Sequence, residues 1–262
     1  MIGQKVLTQT LHRQIQNNIF PRFSIFVGPQ GSEKNDFGLY VAKELDAVYV
    51  KAPDCKVDTV RDIIKASYKV SILTVYSFCD ADMMSSQSRN ALLKVTEEPP
   101  NKSYFVMTLE SESNTLPTIL SRGAVYKLSP YSADELKEYC QRYKYDSDTL
   151  DIILSVCETP GDIDLLHIYN PQEFYAFVNK VVDNIATVSG GNVFKIAQSI
   201  RFKDSDESGY NLEIFWSVFC AVCMSRHLYN GLHITSKYFS LLHIKSINKS
   251  GYSRQKAIKY LI

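Results

Sequence analysis

Residues 23–35 read FSIFVGPQGSEKN, and this stretch decides the architecture. Phe23–Val27 is a short apolar run with β-branched and aromatic members, which predicts a buried strand. Gly28-Pro29-Gln30-Gly31 is a turn by composition. Asn35 to Leu45 then carries apolar positions at helical spacing and predicts a helix.

The same alternation continues outward. Helical spacing over residues 4–19 precedes the first strand, with Val6, Leu7, Leu11 and Ile15 on one face. Strands are predicted at Ala47–Val50, Ser71–Phe78, Ser103–Leu109 and Ala124–Leu128, and helices at Val57–Tyr68 and Ser85–Val95, the latter closed by Glu97-Glu98-Pro99-Pro100. Strands apolar on both faces and separated by helices imply a parallel sheet covered on two sides. After Pro130 only helices are predicted, at about 132–143, 147–156, 161–169, 171–188, 191–201, 210–230, 234–247 and 251–262. The expected division is an α/β domain over 1–130, a small helical domain over 131–170 and a helical C-terminal domain over 171–262.

Composition sets limits on function. Lys and Arg number 29 and Asp and Glu 28 in 262 residues, a net charge of +1, so this is no polyanion-coating protein. Gly and Pro together make about 8% of the chain, against the roughly 12% that is usual, which favours long helices over a turn-rich β fold. No apolar run approaches the roughly 18 residues of a membrane span. The opening MIGQKVLTQTLHRQ lacks a signal-peptide pattern, and the six cysteines are scattered through apolar segments. A reduced, cytoplasmic protein is expected.

A strand, a glycine turn and a helix form the setting of a phosphate loop, in which backbone N–H groups and the helix N-terminus hold phosphate oxygens. The full pattern is G-x-x-x-x-G-K-[ST]. Gly28, Gly31 and Lys34 fit it, but Glu33 stands where a glycine lets backbone approach the phosphates, and Asn35 stands where a hydroxyl would ligate Mg²⁺. Two readings stay open at this point: a weakened phosphate cradle and a turn that binds nothing. The third strand ends in Cys79-Asp80-Ala81-Asp82. Hydrolysis requires one carboxylate for Mg²⁺ and another to orient water. With Asp80 in the second place the metal place is Cys79, a poor partner for a hard cation. Shifting by one residue leaves Ala81 at the base position. Either register loses one carboxylate.

Further along, Asn90-Ala91-Leu92-Leu93-Lys94, Glu97-Glu98-Pro99-Pro100, Thr108 and Leu116-Pro117-Thr118-Ile119-Leu120-Ser121-Arg122 occur in that order. Together with Ile2-Gly3-Gln4, this series resembles the clamp-loader branch of the AAA+ proteins, nearest to the delta prime subunits of bacterial DNA polymerase III. The likeness is fullest over 2–130, less over 130–170, and a matter of layout beyond. It implies an AAA+ P-loop-type sheet domain, a helical lid and a helical collar domain. It also implies a place in a hetero-pentamer with ATPase motor subunits and a delta-like subunit, which loads a sliding clamp onto primed DNA.

The resemblance carries site roles with it. Ser121-Arg122-Gly123 matches a Ser-Arg-Cys motif whose arginine reaches the ATP of the neighbouring subunit, so Arg122 is the expected finger, with Ser121 beside it. Thr108 falls at a position that senses the γ-phosphate, and Gly28, Gly31, Lys34, Asn35 and Asp80 fall on the nucleotide site. Asp164, three residues after Gly161, stands where motor subunits present an arginine to ATP. The zinc-bearing insertion of some relatives is absent, Cys55 being the sole cysteine there, and Cys220-Ala-Val-Cys223 with His227 reads as core packing. The expected molecule is a non-hydrolysing subunit with no cofactor; the alternative is an active motor subunit, which Lys34 supports, and a third reading is a stand-alone interaction module.

Overall fold

The computed structural model describes residues 3–187 and positions 214, 215, 218, 219 and 222. It divides into two compact units, Met1–Glu138 with Thr159–Gly161, and Tyr139–Glu158 with Asp162–Ile262. The first unit begins with helix α1 (Lys5–Gln16), followed by β1 (Phe23–Val27), α2 (Phe37–Glu44), β2 (Val48–Lys51), α3 (Val57–Ser67) and β3 (Thr74–Phe78). It continues with α4 (Ser86–Glu97), β4 (Ser103–Leu109), the short α5 (Pro117–Leu120), β5 (Ala124–Lys127) and α6 (Ala133–Cys140).

All five strands lie in one sheet in the order β2-β3-β4-β1-β5, and every pairing is parallel. The two-residue period of the strands sorts their side chains between two cores. Phe23, Ile25, Tyr76, Phe78, Phe105 and Met107 point to one face, where Val60, Ile63, Leu92, Val95 and Ile119 of α3, α4 and α5 cover them. Phe26, Val75 and Val106 point to the other, under Leu11 and Ile15 of α1 and Phe37 and Val41 of α2. β1 and β3 are buried along their whole length.

Three expectations need correction. β2 and β5 are not covered on both faces; they are the sheet edges and are partly exposed. The third strand starts at Thr74 rather than Ser71, because its ladders to β2 and β4 both open there, with Val48 opposite Thr74 and Thr74 opposite Ser103. The helix after the glycine turn starts at Phe37, preceded by a 3-10 turn over Lys34–Asp36 in which Asp36 N–H bonds the Glu33 carbonyl at 3.0 Å. In addition, α4 runs on through Glu97, so the first acidic residue of the Glu-Glu-Pro-Pro phrase is helical.

In the second unit, α7 (Ser147–Val156), α8 (Pro160–Ile168) and α9 (Pro171–Thr187) follow a 3-10 turn at Gln141–Tyr143. Phe174 and Phe219 are buried, and Phe215 lies 6.5 Å from Phe174, 6.4 Å from Phe177 and 6.0 Å from Phe219 between ring centroids. These aromatics therefore fill the unit's own interior. The helices expected at 191–201, 234–247 and 251–262, and Cys220, Cys223 and His227, lie outside the described residues.

Candidate nucleotide site and arginine finger

β3, β4 and β1 are neighbours, so the loops after β1 and β3 and the end of β4 meet at one edge of the sheet, where open parallel sheets bind ligands. The Thr108 hydroxyl donates to Asn35 Oδ1 at 2.5 Å and accepts the Asp80 N–H at 2.9 Å. Asn35 Nδ2 donates to Asp80 Oδ2 at 3.1 Å and Oδ1 at 3.3 Å. Asn35, Asp80 and Thr108 thus close a ring of hydrogen bonds. Lys34 enters from below: its side chain is 4% exposed, with Nζ 3.7 Å from Asp80 Oδ1 and 3.5 Å from the Pro29 carbonyl. The structure brings together four of the six residues expected at the nucleotide site and ties them to one another.

The loop itself is occupied by the chain's own groups. Gly31 takes φ +78°, and its carbonyl accepts the Gly161 N–H at 2.9 Å. A Cβ on Gly31 would stand 2.5 Å from Thr159 Oγ1, and one on Gly161 would stand 2.5 Å from Gly31 Cα. The Ser32 N–H turns inward to the Pro29 carbonyl, its hydroxyl donates to the same oxygen at 2.6 Å, and its own carbonyl accepts the Tyr131 hydroxyl at 2.9 Å. Burial, with Glu33 nearby as a second cause, holds the Tyr131 hydroxyl above its ordinary pKa, so it remains a donor. Glu33 adopts φ +55°, a left-handed conformation that glycine takes freely and an L-residue takes at about 1–2 kcal/mol. The glycine missing from the motif is missing at a position whose backbone still has the shape glycine prefers.

The carboxylates near the turn are engaged by the chain's own groups. Asp82 is turned to the segment after β4, where Oδ2 accepts the Glu110 N–H at 2.8 Å and Oδ1 accepts from Asn114 Nδ2 at 2.9 Å. Asp80 is spent on Asn35 and Lys34. Burial raises the Cys79 thiol, and it pushes the Cys55 thiol, which donates to the Cys79 carbonyl at 3.3 Å, up to about 11. Neutral thiols are weak partners for a hard cation. Among the described residues no group of three His, Cys, Asp or Glu side chains is placed to hold a metal ion.

Asp164 also has a local role. Its Oδ2 accepts the Tyr139 hydroxyl at 2.9 Å, and its Oδ1 accepts the Tyr143 hydroxyl at 2.5 Å. The carboxylate organises its own helical unit. Replacing it by alanine removes the acceptor that both tyrosine hydroxyls use, and Asp164→Ala is expected to cost about 1 kcal/mol in chemical denaturation of the whole chain.

At the far end of the sheet, α5 is followed by Ser121 and Arg122. The Ser121 hydroxyl donates to the Thr118 carbonyl at 3.1 Å. Arg122 Nη1 donates to the same carbonyl at 2.8 Å, and Nη2 to Glu97 Oε1 at 3.2 Å. Gly123 packs against β1: a Cβ there would stand 2.7 Å from Ile25 Cδ1 and 2.9 Å from Phe23 Cδ1, so a larger residue requires these side chains to shift. Tyr131, Thr159 and Glu97 are parts of these arrangements that sequence reasoning did not single out. Only Glu97 left a trace, in the Glu-Glu-Pro-Pro phrase.

Comparison with known proteins is consistent with this layout. The family described as DNA polymerase III, delta subunit, matches residues 44–132. The chain is 27% identical over 142 residues to a replication factor C small subunit of Natronomonas pharaonis, covering 50% of this chain and 43% of that protein. It is 28% identical over 153 residues to the DNA polymerase III subunit tau of Bacillus subtilis, covering 47% and 27%. The chain spans about half the length of the curated relatives it matches. In fold it is similar to the RuvB Holliday junction branch migration motor of Thermotoga maritima, with a TM-score of 0.52 at 14% identity over 86% of this chain and 88% of that one.

Proposed function

We propose that this chain, which is similar to AAA+ clamp-loader subunits over its α/β domain and part of its helical region, is a non-hydrolysing, delta prime-like subunit of that family. The observation that supports this reading above the others is the hydrogen bonding of Asp80 and Asp82 to the chain's own groups, away from the roles of holding Mg²⁺ and orienting water. Arg122, by contrast, sits at the opposite end of the strands, before β5, and its side chain is 28% exposed. In this reading it reaches the triphosphate bound by the adjoining motor subunit and stabilises charge that builds on the transferring phosphoryl group.

The division into a sheet domain over 1–130, a lid over 131–170 and a collar over 171–262 belongs to the same proposal. So do the hetero-pentamer of motor and delta-like subunits, the sliding clamp, the primed DNA and the cytoplasmic setting. No described helix is long and apolar enough to cross a membrane. The rival reading, an active motor subunit, draws on Lys34, which keeps its motif position beside Asp80.

ATP turnover separates the two. The isolated chain is expected to turn over no ATP with Mg²⁺ present, while the complex reconstituted with motor subunits does. Mg²⁺-dependent turnover by the chain alone makes it a motor subunit.

A further inference from the structure

Arg122 is anchored at both ends of its guanidinium. The group carries five N–H bonds in one plane. One on Nη1 goes to the Thr118 carbonyl, one on Nη2 goes to Glu97, and one on each of these nitrogens is left, together with Nε. Nε is buried and finds no acceptor. The two anchors come from different elements: Thr118 lies in α5, four residues before Arg122, and Glu97 in the last turn of α4, 25 residues away in sequence. The Glu97 carboxylate is 61% exposed and the Arg122 side chain 28%. Pairs of this exposure contribute little to stability. What two anchors do accomplish is to fix the plane of the guanidinium, and with it the directions of the N–H bonds that remain.

We propose that Glu97 is a positioning residue for Arg122: its carboxylate holds Nη2 so that the one N–H left on each of Nη1 and Nη2 is set to meet the phosphate oxygens of an adjoining subunit's nucleotide. This inference rests on the reading of Arg122 as a finger acting in trans. A planar fork aimed by two fixed acceptors loses less freedom on meeting an oxyanion than a freely rotating one.

The test is made in the complex reconstituted with motor subunits. Glu97→Ala is expected to lower kcat for ATP about tenfold, the scale on which small misplacements of reacting groups act. KM, assembly and the melting temperature of the isolated chain stay unchanged. Glu97→Gln, which keeps an acceptor oxygen at the same reach, is expected to restore most of the turnover. The double variant Glu97→Ala, Arg122→Ala is expected to match Arg122→Ala alone. If Arg122→Ala lowers turnover and Glu97→Ala leaves it unchanged or raises it, the positioning role is wrong and the finger stands. A double variant slower than Arg122→Ala also removes the positioning role. If Arg122→Ala itself has no effect, the finger reading fails and this inference falls with it.

Discussion

Arg122→Ala is expected to abolish most ATP turnover at the adjoining subunit's site in a complex reconstituted with motor subunits, while the complex still assembles. The expected loss at that site is about 10³-fold or more, the range in which a guanidinium at a transferring phosphoryl group acts. The size follows from where the charge develops. As the bond to the leaving oxygen loosens, negative charge builds on that oxygen, and a cation already in place meets that change without reorganising. Folding is expected to depend little on the residue, because its Glu97 partner is 61% exposed and the Thr118 carbonyl that Arg122 also bonds keeps the Ser121 hydroxyl as a donor. Single-turnover hydrolysis by the complex, with subunit stoichiometry measured on the same sample, checks both halves. Full-rate hydrolysis would take the finger role away from Arg122. Arg122→Lys is expected to recover little, since an ammonium supplies charge without the planar fork.

The second large effect is on stability. Gly161→Val is expected to destabilise the chain by about 2–3 kcal/mol, seen as a melting temperature lower by several degrees. The cause is a backbone-to-backbone contact. The Cβ of any residue at 161 would stand 2.5 Å from Gly31 Cα and 3.2 Å from the Gly31 carbonyl oxygen, a space that no rotamer change can open. Relief requires Thr159–Gly161 to move away from the glycine turn, and that movement breaks the bond from Gly161 N–H to the Gly31 carbonyl. Gly31→Ala meets the same obstacle from the other side and adds an unfavourable positive φ, so its loss should be of similar size. A Gly161→Val protein that melts with the parent would show that this approach is not needed.

These two effects differ in how far the primary structure announces them. Arg122 stands in a phrase whose order and spacing are informative in one dimension, and the strands at 23–27 and 103–109 are legible because each apolar run is bounded by Gly, Pro or polar residues. The edge character of β2 and β5 is different. Their local composition matches that of covered strands, and only the order of the sheet decides which pair lies outside. The start of β3 at Thr74 is likewise set by the rungs its neighbours offer, not by the apolar content of residues 71–73. The Gly31–Gly161 approach leaves no mark in the chain beyond two glycines 130 positions apart, each of which reads locally as a turn or a helix start.

Read alone, the amino-acid order determined the alternation of strands and helices, the parallel sheet, the departures from the phosphate-loop pattern at Glu33 and Asn35, and the surviving arginine at 122. These are properties of residue type and near spacing, which act over a turn of helix or a few rungs of strand. Only the folded chain decided that Thr108, 73 residues from Asn35 and 28 from Asp80, would close a hydrogen-bonded ring with both. It also decided that Asp82 would serve the segment after β4, and that Glu97 would reach Arg122. Hydrogen bonds and ion pairs depend on distances of about 3 Å, and parallel strand order, which brings distant segments together, is what sets those distances.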